Sequence, residues 1–141
     1  MNSEERWSYI NNLDDTFLRG GVILSEWCSF IVRESDNAFC NSNDLATILL
    51  AISAIETCLR AEYTDSEATL YALIGGSIIE NNLKKELHNL RQYRNTWVHV
   101  KNPWDDAKIL EYPETYEESL RIMAKLAVKL LRVIIYKDQF I

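Results

Sequence analysis

Histidine is scarce in this chain: among 141 residues there are two, His88 and His99. Chemistry that needs an imidazole therefore has two addresses. Glycine (four) and proline (two) are also sparse, and no stretch alternates apolar and polar residues long enough to make a sheet. The three cysteines, Cys28, Cys40 and Cys58, are odd in number and lack metal-ligand spacing, a usage that fits a reducing cytoplasm. No apolar run approaches the roughly 20 residues needed to cross a bilayer. The opening "MNSEERWSYINNLDD" lacks the basic-then-apolar layout of a signal peptide. A Gly-rich phosphate loop, a paired-cysteine zinc pattern and a Ser-His-Asp framework are all missing. The expectation is a cytoplasmic protein with no membrane segment, no metal and no cofactor.

What is present is ordinary globular material, 48% hydrophobic and 26% charged, in a length that suits one domain over residues 1–141. The net charge of −6 argues against a protein that coats nucleic acid nonspecifically. The charge is uneven, however. From Lys84 to Lys101 there are five cations (Lys84, Lys85, Arg91, Arg94, Lys101) and one anion (Glu86), a local +4 that leaves −10 for the remainder.

Periodicity predicts helices throughout. Phe17, Gly21, Leu24, Cys28 and Ile31 recur at helical spacing, so residues 14–33 read as one helix, followed by "ESDNAFCNSND" as a loop. Asn43 or Asp44 caps the next helix, which runs to about residue 63 and buries Leu45, Ile48, Leu49, Ile52, Ile55 and Leu59. "TDSE" is a further capping signal for a short turn or helix ending at Gly75-Gly76. A long helix over 79–98 stops before Asn102-Pro103, because proline pushes its predecessor out of helical geometry. "NPWDDAKILEYPET" reads as an irregular connection, and residues 116–136 as a final amphipathic helix. The fold class is all-α, a bundle of four to five helices.

The long helix over 79–98 carries "LRQYRNTWVHV". Leu83, Leu87, Leu90 and Trp97 form its apolar stripe, and Arg94 falls inside that stripe where a leucine is expected. A guanidinium keeps its proton, so burying it unpaired costs several kcal/mol. It needs a carboxylate, a partner subunit or an anionic ligand, unless it snorkels to the helix edge. Arg91, Asn95 and His99, four residues apart, share an adjacent face. Five steps separate Arg94 from His99, about 140° on a regular helix, so one regular helix does not aim both at one point. Either His99 sits in a loosening last turn, or two copies of the helix meet across a symmetric dimer.

Other residues admit two readings each. Glu56, beside Ile52 and Leu59, is a candidate partner for Arg94, or else a stripe-edge carboxylate pairing with Arg60. Cys28 and Cys58 read as small core residues, and Cys40 as a loop residue open to solvent. His88 reads as surface. Asp14-Asp15 and Asp105-Asp106 are either divalent-ion attractors or solvated and capping charges. Tyr93 and Trp104 either stack on bases or pack in the protein.

"LHNLRQYRNTWVH" resembles the signature of HEPN domains: Arg (Arg94), a polar residue (Asn95), and a His (His99) after four intervening residues. "LAISAIETCLRAEY" is similar to that family's preceding helix, "TLYALI" to its short connecting segment, and the last amphipathic helix to its own; together these span residues 45–136. The resemblance implies a four- or five-helix bundle, commonly a homodimer with the motifs of two subunits lining one cleft. Many members are metal-independent ribonucleases of toxin–antitoxin, antiphage or RNA-processing systems, and others are silent binding modules. In one subgroup a nucleotidyltransferase antitoxin modifies a tyrosine two residues after the histidine; this chain has Lys101 there.

Two functions follow as expectations. In the first, the chain is an endoribonuclease of toxin or antiphage type acting on an RNA substrate. Arg94, Asn95 and His99 are then catalytic, with Glu56 and Arg91 in support and Lys84, Lys85, Tyr93 and Lys101 in contact with RNA. It works as a homodimer, with an antitoxin or another regulatory protein as a partner. In the second, the chain is a silent HEPN module that dimerises or binds a nucleotide or protein.

Overall fold

The computed structural model of the protein describes residues 1–63 and 67–141. Seven helices lie among the described residues: α1 (Ser3–Phe17), α2 (Glu26–Cys40), α3 (Asp44–Arg60), α4 (Leu70–Gly76), α5 (Asn81–Val98), α6 (Ala107–Glu111) and α7 (Pro113–Ile135). The all-helical expectation holds, and the helices outnumber the four or five expected.

The centre of the core is α3, packed chiefly against α2 and α7. It buries Ile48, Ile52, Ile55 and Leu59 as expected, while Leu45 and Leu49 stay half-exposed at the margin. Ala51 and Ala54 carry little side-chain bulk, which allows close helix approach, and both are fully buried. From α7, Ala124, Ala127, Val128, Leu131 and Ile134 complete the same cluster. Leu87 and Leu90 are the buried residues of α5.

The helix expected over 14–33 is two helices, and the reason is local. Gly20-Gly21 weakens any helix through it, and the backbone there pairs with the chain end instead. Gly21 N–H donates to Phe140 O at 2.7 Å and Phe140 N–H to Gly21 O at 2.9 Å. A Cβ on Gly20 would stand 2.1 Å from Phe140 O, so this pairing requires glycine. Ser25 then starts α2 by accepting the Cys28 N–H. The segment expected as a loop, 34–44, is mostly helix because Ser35, Phe39 and Cys40 turn inward to the core. Ser42, with φ at 60°, ends that stretch. Cys40, expected at the surface, is buried, and Cys58 is only half-buried.

Three other boundaries differ. Asn43 is the N-cap of α3, but its side chain makes no capping bond. Thr64, Asp65 and Ser66 of the "TDSE" signal lie outside the described residues, and α4 is capped by Thr69, whose hydroxyl accepts the Ala72 N–H. The connection over 102–115 contains α6 and the first turn of α7, which opens on Pro113, a residue suited to a first helical turn.

Two buried arginines fasten the outer helices. Arg6 of α1 donates to Asp44 Oδ1 at 2.6 Å and to Phe39 O at 2.9 Å. Arg132 of α7 is 2% exposed and donates to both oxygens of Asp36, at 2.8 and 2.6 Å, and to Asp14 at 3.1 Å. Tyr136 adds a hydroxyl donor to Asp14 at 2.7 Å. Asp14 is thus a structural acceptor rather than a divalent-ion ligand.

Candidate functional site

The first turn of α5 is held by Lys84, whose ammonium donates to Gly75 O at 2.8 Å, at the carbonyl end of α4. Cations suit that end of a helix, where carbonyls lack partners. Its far end is pinned to α7 from the apolar side. Tyr93 Oη shares a 2.9 Å hydrogen bond with Ser119 Oγ, and Trp97 meets Tyr116 edge-on at 6.3 Å between ring centres. Tyr93 is therefore packed and bonded within the protein, while Trp104 is 91% exposed.

Arg94 is half-buried, and no carboxylate answers it among the described residues. Its one hydrogen bond there is from Nε to the Asn95 side-chain oxygen, at 2.9 Å. Glu56 does not reach it: that carboxylate lies 3.6 Å from Arg60 Nη2, the competing assignment made from sequence. Arg60 also donates to Ala68 O at 2.8 Å, tying the end of α3 to the approach to α4. Glu56 thus supports the bundle instead of the motif.

His99 is the C-cap of α5. Its φ of −121° and ψ of 59° leave helical geometry, while its N–H still donates to Asn95 O at 3.0 Å. The helix loosens at this residue, one of the two remedies for the 140° separation. The chain does not join Arg94 and His99 directly. Asn95 links them, accepting from the Arg94 guanidinium with its side chain and from the His99 amide with its carbonyl.

The remaining site candidates separate by position. Lys85 and Lys101 are exposed and Lys84 is half-buried. Arg91 is half-buried, with its guanidinium carbon 5.3 Å from the centre of the Tyr71 ring. His88, expected at the surface, is half-buried with its ring 4.9 Å from that of Tyr71. Burial, then the Arg91 and Lys84 charges, push its pKa below the ordinary 6.5. Tyr71 was not foreseen, since a lone tyrosine in "TLYALI" carries no signal until α4 is placed against α5. Among the described residues no group of three or more His, Cys, Asp or Glu side chains could hold a metal, which leaves Asp105-Asp106 without further ligands.

Around and beyond His99 large apolar side chains stand exposed among charged ones. Val98, Val100, Trp104, Leu110 and Tyr112 are all exposed within fifteen residues of chain, and α6 buries none of its residues. No helix among the described residues is long and apolar enough to cross a membrane. Comparison with protein-family models, curated proteins and solved structures finds no match to this chain.

Proposed function

We propose that this protein is a metal-independent endoribonuclease of the HEPN type, acting as a homodimer. The observation that carries the proposal is the state of Arg94. It is a permanent cation in an apolar stripe with no carboxylate partner among the described residues, tethered to Asn95 one turn from the helix-end His99. A cation so placed is open to an anion that the described residues do not supply, and RNA phosphate fits its planar fork.

RNA carries its own nucleophile. A base removes the 2′-hydroxyl proton, the 2′-oxygen attacks phosphorus, and the bond to the next nucleotide's 5′-oxygen breaks as an acid protonates that oxygen. The products are a 2′,3′-cyclic phosphate and a 5′-hydroxyl. His99 serves as the base in one subunit and as the acid in its partner. Arg94 stabilises the charge on the crowded phosphorus, and Asn95 holds the guanidinium in place. The exposed apolar run over 98–112 supplies a face for the second copy, which places two motifs in one cleft.

The silent-module reading draws on the net charge of −6 and on the separation of Arg94 from His99 within one chain. Incubation of purified protein with structured and unstructured RNA decides between the two. His99→Ala lowers cleavage by a factor on the order of a hundred or more, the usual scale for a positioned acid–base group. Arg94→Lys is also impaired, because an ammonium lacks the bidentate fork. DNA resists cleavage, having no 2′-hydroxyl. Cleavage abolished by EDTA, or kept in full by His99→Ala, sinks the mechanism. Failure to cut any RNA leaves the silent module as the better reading.

A further inference from the structure

Lys84, His88, Arg91 and Asn95 recur at steps of four, three and four, which places them on one face of α5. That face flanks the Leu83, Leu87, Leu90 stripe, and Tyr71 of α4 lies against its middle. The tyrosine is 63% exposed although its ring lies 4.9 Å from His88 and 5.3 Å below the Arg91 guanidinium. Two polar atoms at this spot are buried without a partner among the described residues: Arg91 Nε and His88 Nδ1. An exposed aromatic ring beside a guanidinium is a place to receive a planar group that carries a negative charge next to it.

We infer that Tyr71, His88 and Arg91 form a stacking subsite for one unpaired base of single-stranded RNA, two helical turns from His99. The inference rests on the ribonuclease reading in that the same strand lies along α5 toward Arg94 and His99. Eight residues at 1.5 Å each put Arg91 about 12 Å from the helix end. A base on the outer face of Tyr71 replaces exposed ring surface with a stack. Arg91 and Lys84 provide the charge that holds the adjoining phosphates. His88 packs against the same tyrosine, with its ring centre 4.9 Å away, and helps hold the ring in place. A duplex cannot use the subsite, since its bases are already stacked and offer no free face.

The competing explanation is that the trio only locks α4 to α5, and affinity for RNA separates the two. The measurement is fluorescence anisotropy of a labelled ten-nucleotide single strand with the His99→Ala protein, so that cleavage plays no part. Adding Tyr71→Ala weakens binding roughly ten-fold, in line with the loss of one base–aromatic stack, while Tyr71→Phe binds as the parent does. Arg91→Gln weakens binding as well and flattens its salt dependence by about 0.7 of a slope unit for each phosphate lost. The matching duplex binds at least several-fold more weakly than the single strand.

Equal affinity for parent and Tyr71→Ala overturns the subsite, and so does a duplex that binds as well as the single strand. No RNA binding at all by the parent also overturns it. Circular dichroism of each variant confirms that α4 and α5 persist, which the exposure of Tyr71 favours. The nuclease reading is tested apart from this. Binding that depends on Tyr71, in a protein that cuts no RNA, supports the subsite and removes the catalysis. Cleavage unchanged by Tyr71→Ala, with unchanged binding, removes the subsite and keeps the nuclease.

Discussion

Arg132 and Arg94 both interrupt an apolar helical stripe, and their surroundings are opposite. Arg132, 2% exposed, is gripped by both oxygens of Asp36 and one of Asp14, with Tyr136 sharing the second carboxylate. Arg94 is half-buried and, among the described residues, meets one neutral amide. The first holds α7 to α1 and α2. The second joins no two elements among the described residues. An arginine in a core stripe thus signals a need for an anion without saying whether the chain itself provides it. Where the chain provides it, the residue is structural; where it does not, the residue is open to a ligand.

The most severe test of that contrast is a pair of shape-preserving substitutions followed by urea unfolding. Arg132→Met strands Asp36, whose side chain is 15% exposed, takes one of two donors from Asp14, and is expected to cost about 3–5 kcal/mol, the scale for breaking a buried ion pair from one side. Arg94→Met is expected to stay within about 1 kcal/mol of the parent, since it strands no charge. Adding Asp36→Asn and Asp14→Asn to Arg132→Met recovers part of the loss, because the stranded charges go with them. Equal costs at the two arginines would dissolve the distinction.

Legibility in the sequence followed the same divide. The apolar stripes of α3, α5 and α7 were readable from spacing, because each is long and its inward face is nearly uniform. Arg132 in "KLLRVIIY" interrupts an apolar stripe just as Arg94 does. Its partners Asp14 and Asp36 lie 118 and 96 residues away, a pairing that no local pattern reports. Residues 14–33 misled because Phe17, Gly21, Leu24, Cys28 and Ile31 keep helical spacing across a real break. What decides there is a bridge to Phe140, at the other end of the chain. From sequence Glu56 has two possible partners, Arg94 and Arg60, and only the fold shows that Arg60, one turn away, is the one it meets.

A second prediction concerns what completes the Arg94 side. If another copy covers the run over 98–112, Leu110→Asp buries a charge in that contact. The dimer dissociation constant should rise by a factor on the order of thirty or more, the scale of an interface anchor lost. Sedimentation across a concentration series reads it. Leu110 is 77% exposed, so the monomer itself should unfold as the parent does. A parent that is monomeric at micromolar concentration would remove the shared cleft, and with it the partner half of the comparison.

A smaller effect is expected at the fastening of α5 to α7. Tyr93→Phe deletes the bond to Ser119 and should cost about 1 kcal/mol, the net value of one such hydrogen bond. RNA affinity should be unchanged, because that hydroxyl is spent within the protein. A loss of RNA binding with no loss of stability would return Tyr93 to the list of RNA contacts and weaken the assignment of stacking to Tyr71.

The smallest effect is one of pH, and it reports on the Arg132 side alone. Cys40 ends α2 among the buried groups around that node. Burial, then the Asp36 charge, push its thiol from the ordinary 9.0 up to about 11, against the opposing pull of Arg6 and Arg132. A thiol whose folded pKa is raised stays protonated in the native state while the unfolded chain ionises. Its contribution to stability is therefore complete below pH 9.0 and is lost as pH rises through about 11. Tyr136 is raised too, by burial first and then by its bond to Asp14, and adds a limb of the same sign at higher pH. Urea midpoints taken from pH 8 to 11 should fall for the parent and fall less steeply for Cys40→Ala, after allowing for a constant offset from the smaller side chain. Parallel slopes in the two proteins would mean that Cys40 titrates alike in the folded and unfolded chains. The packing that separates the Arg132 node from the open Arg94 site would then be looser than its hydrogen bonds imply.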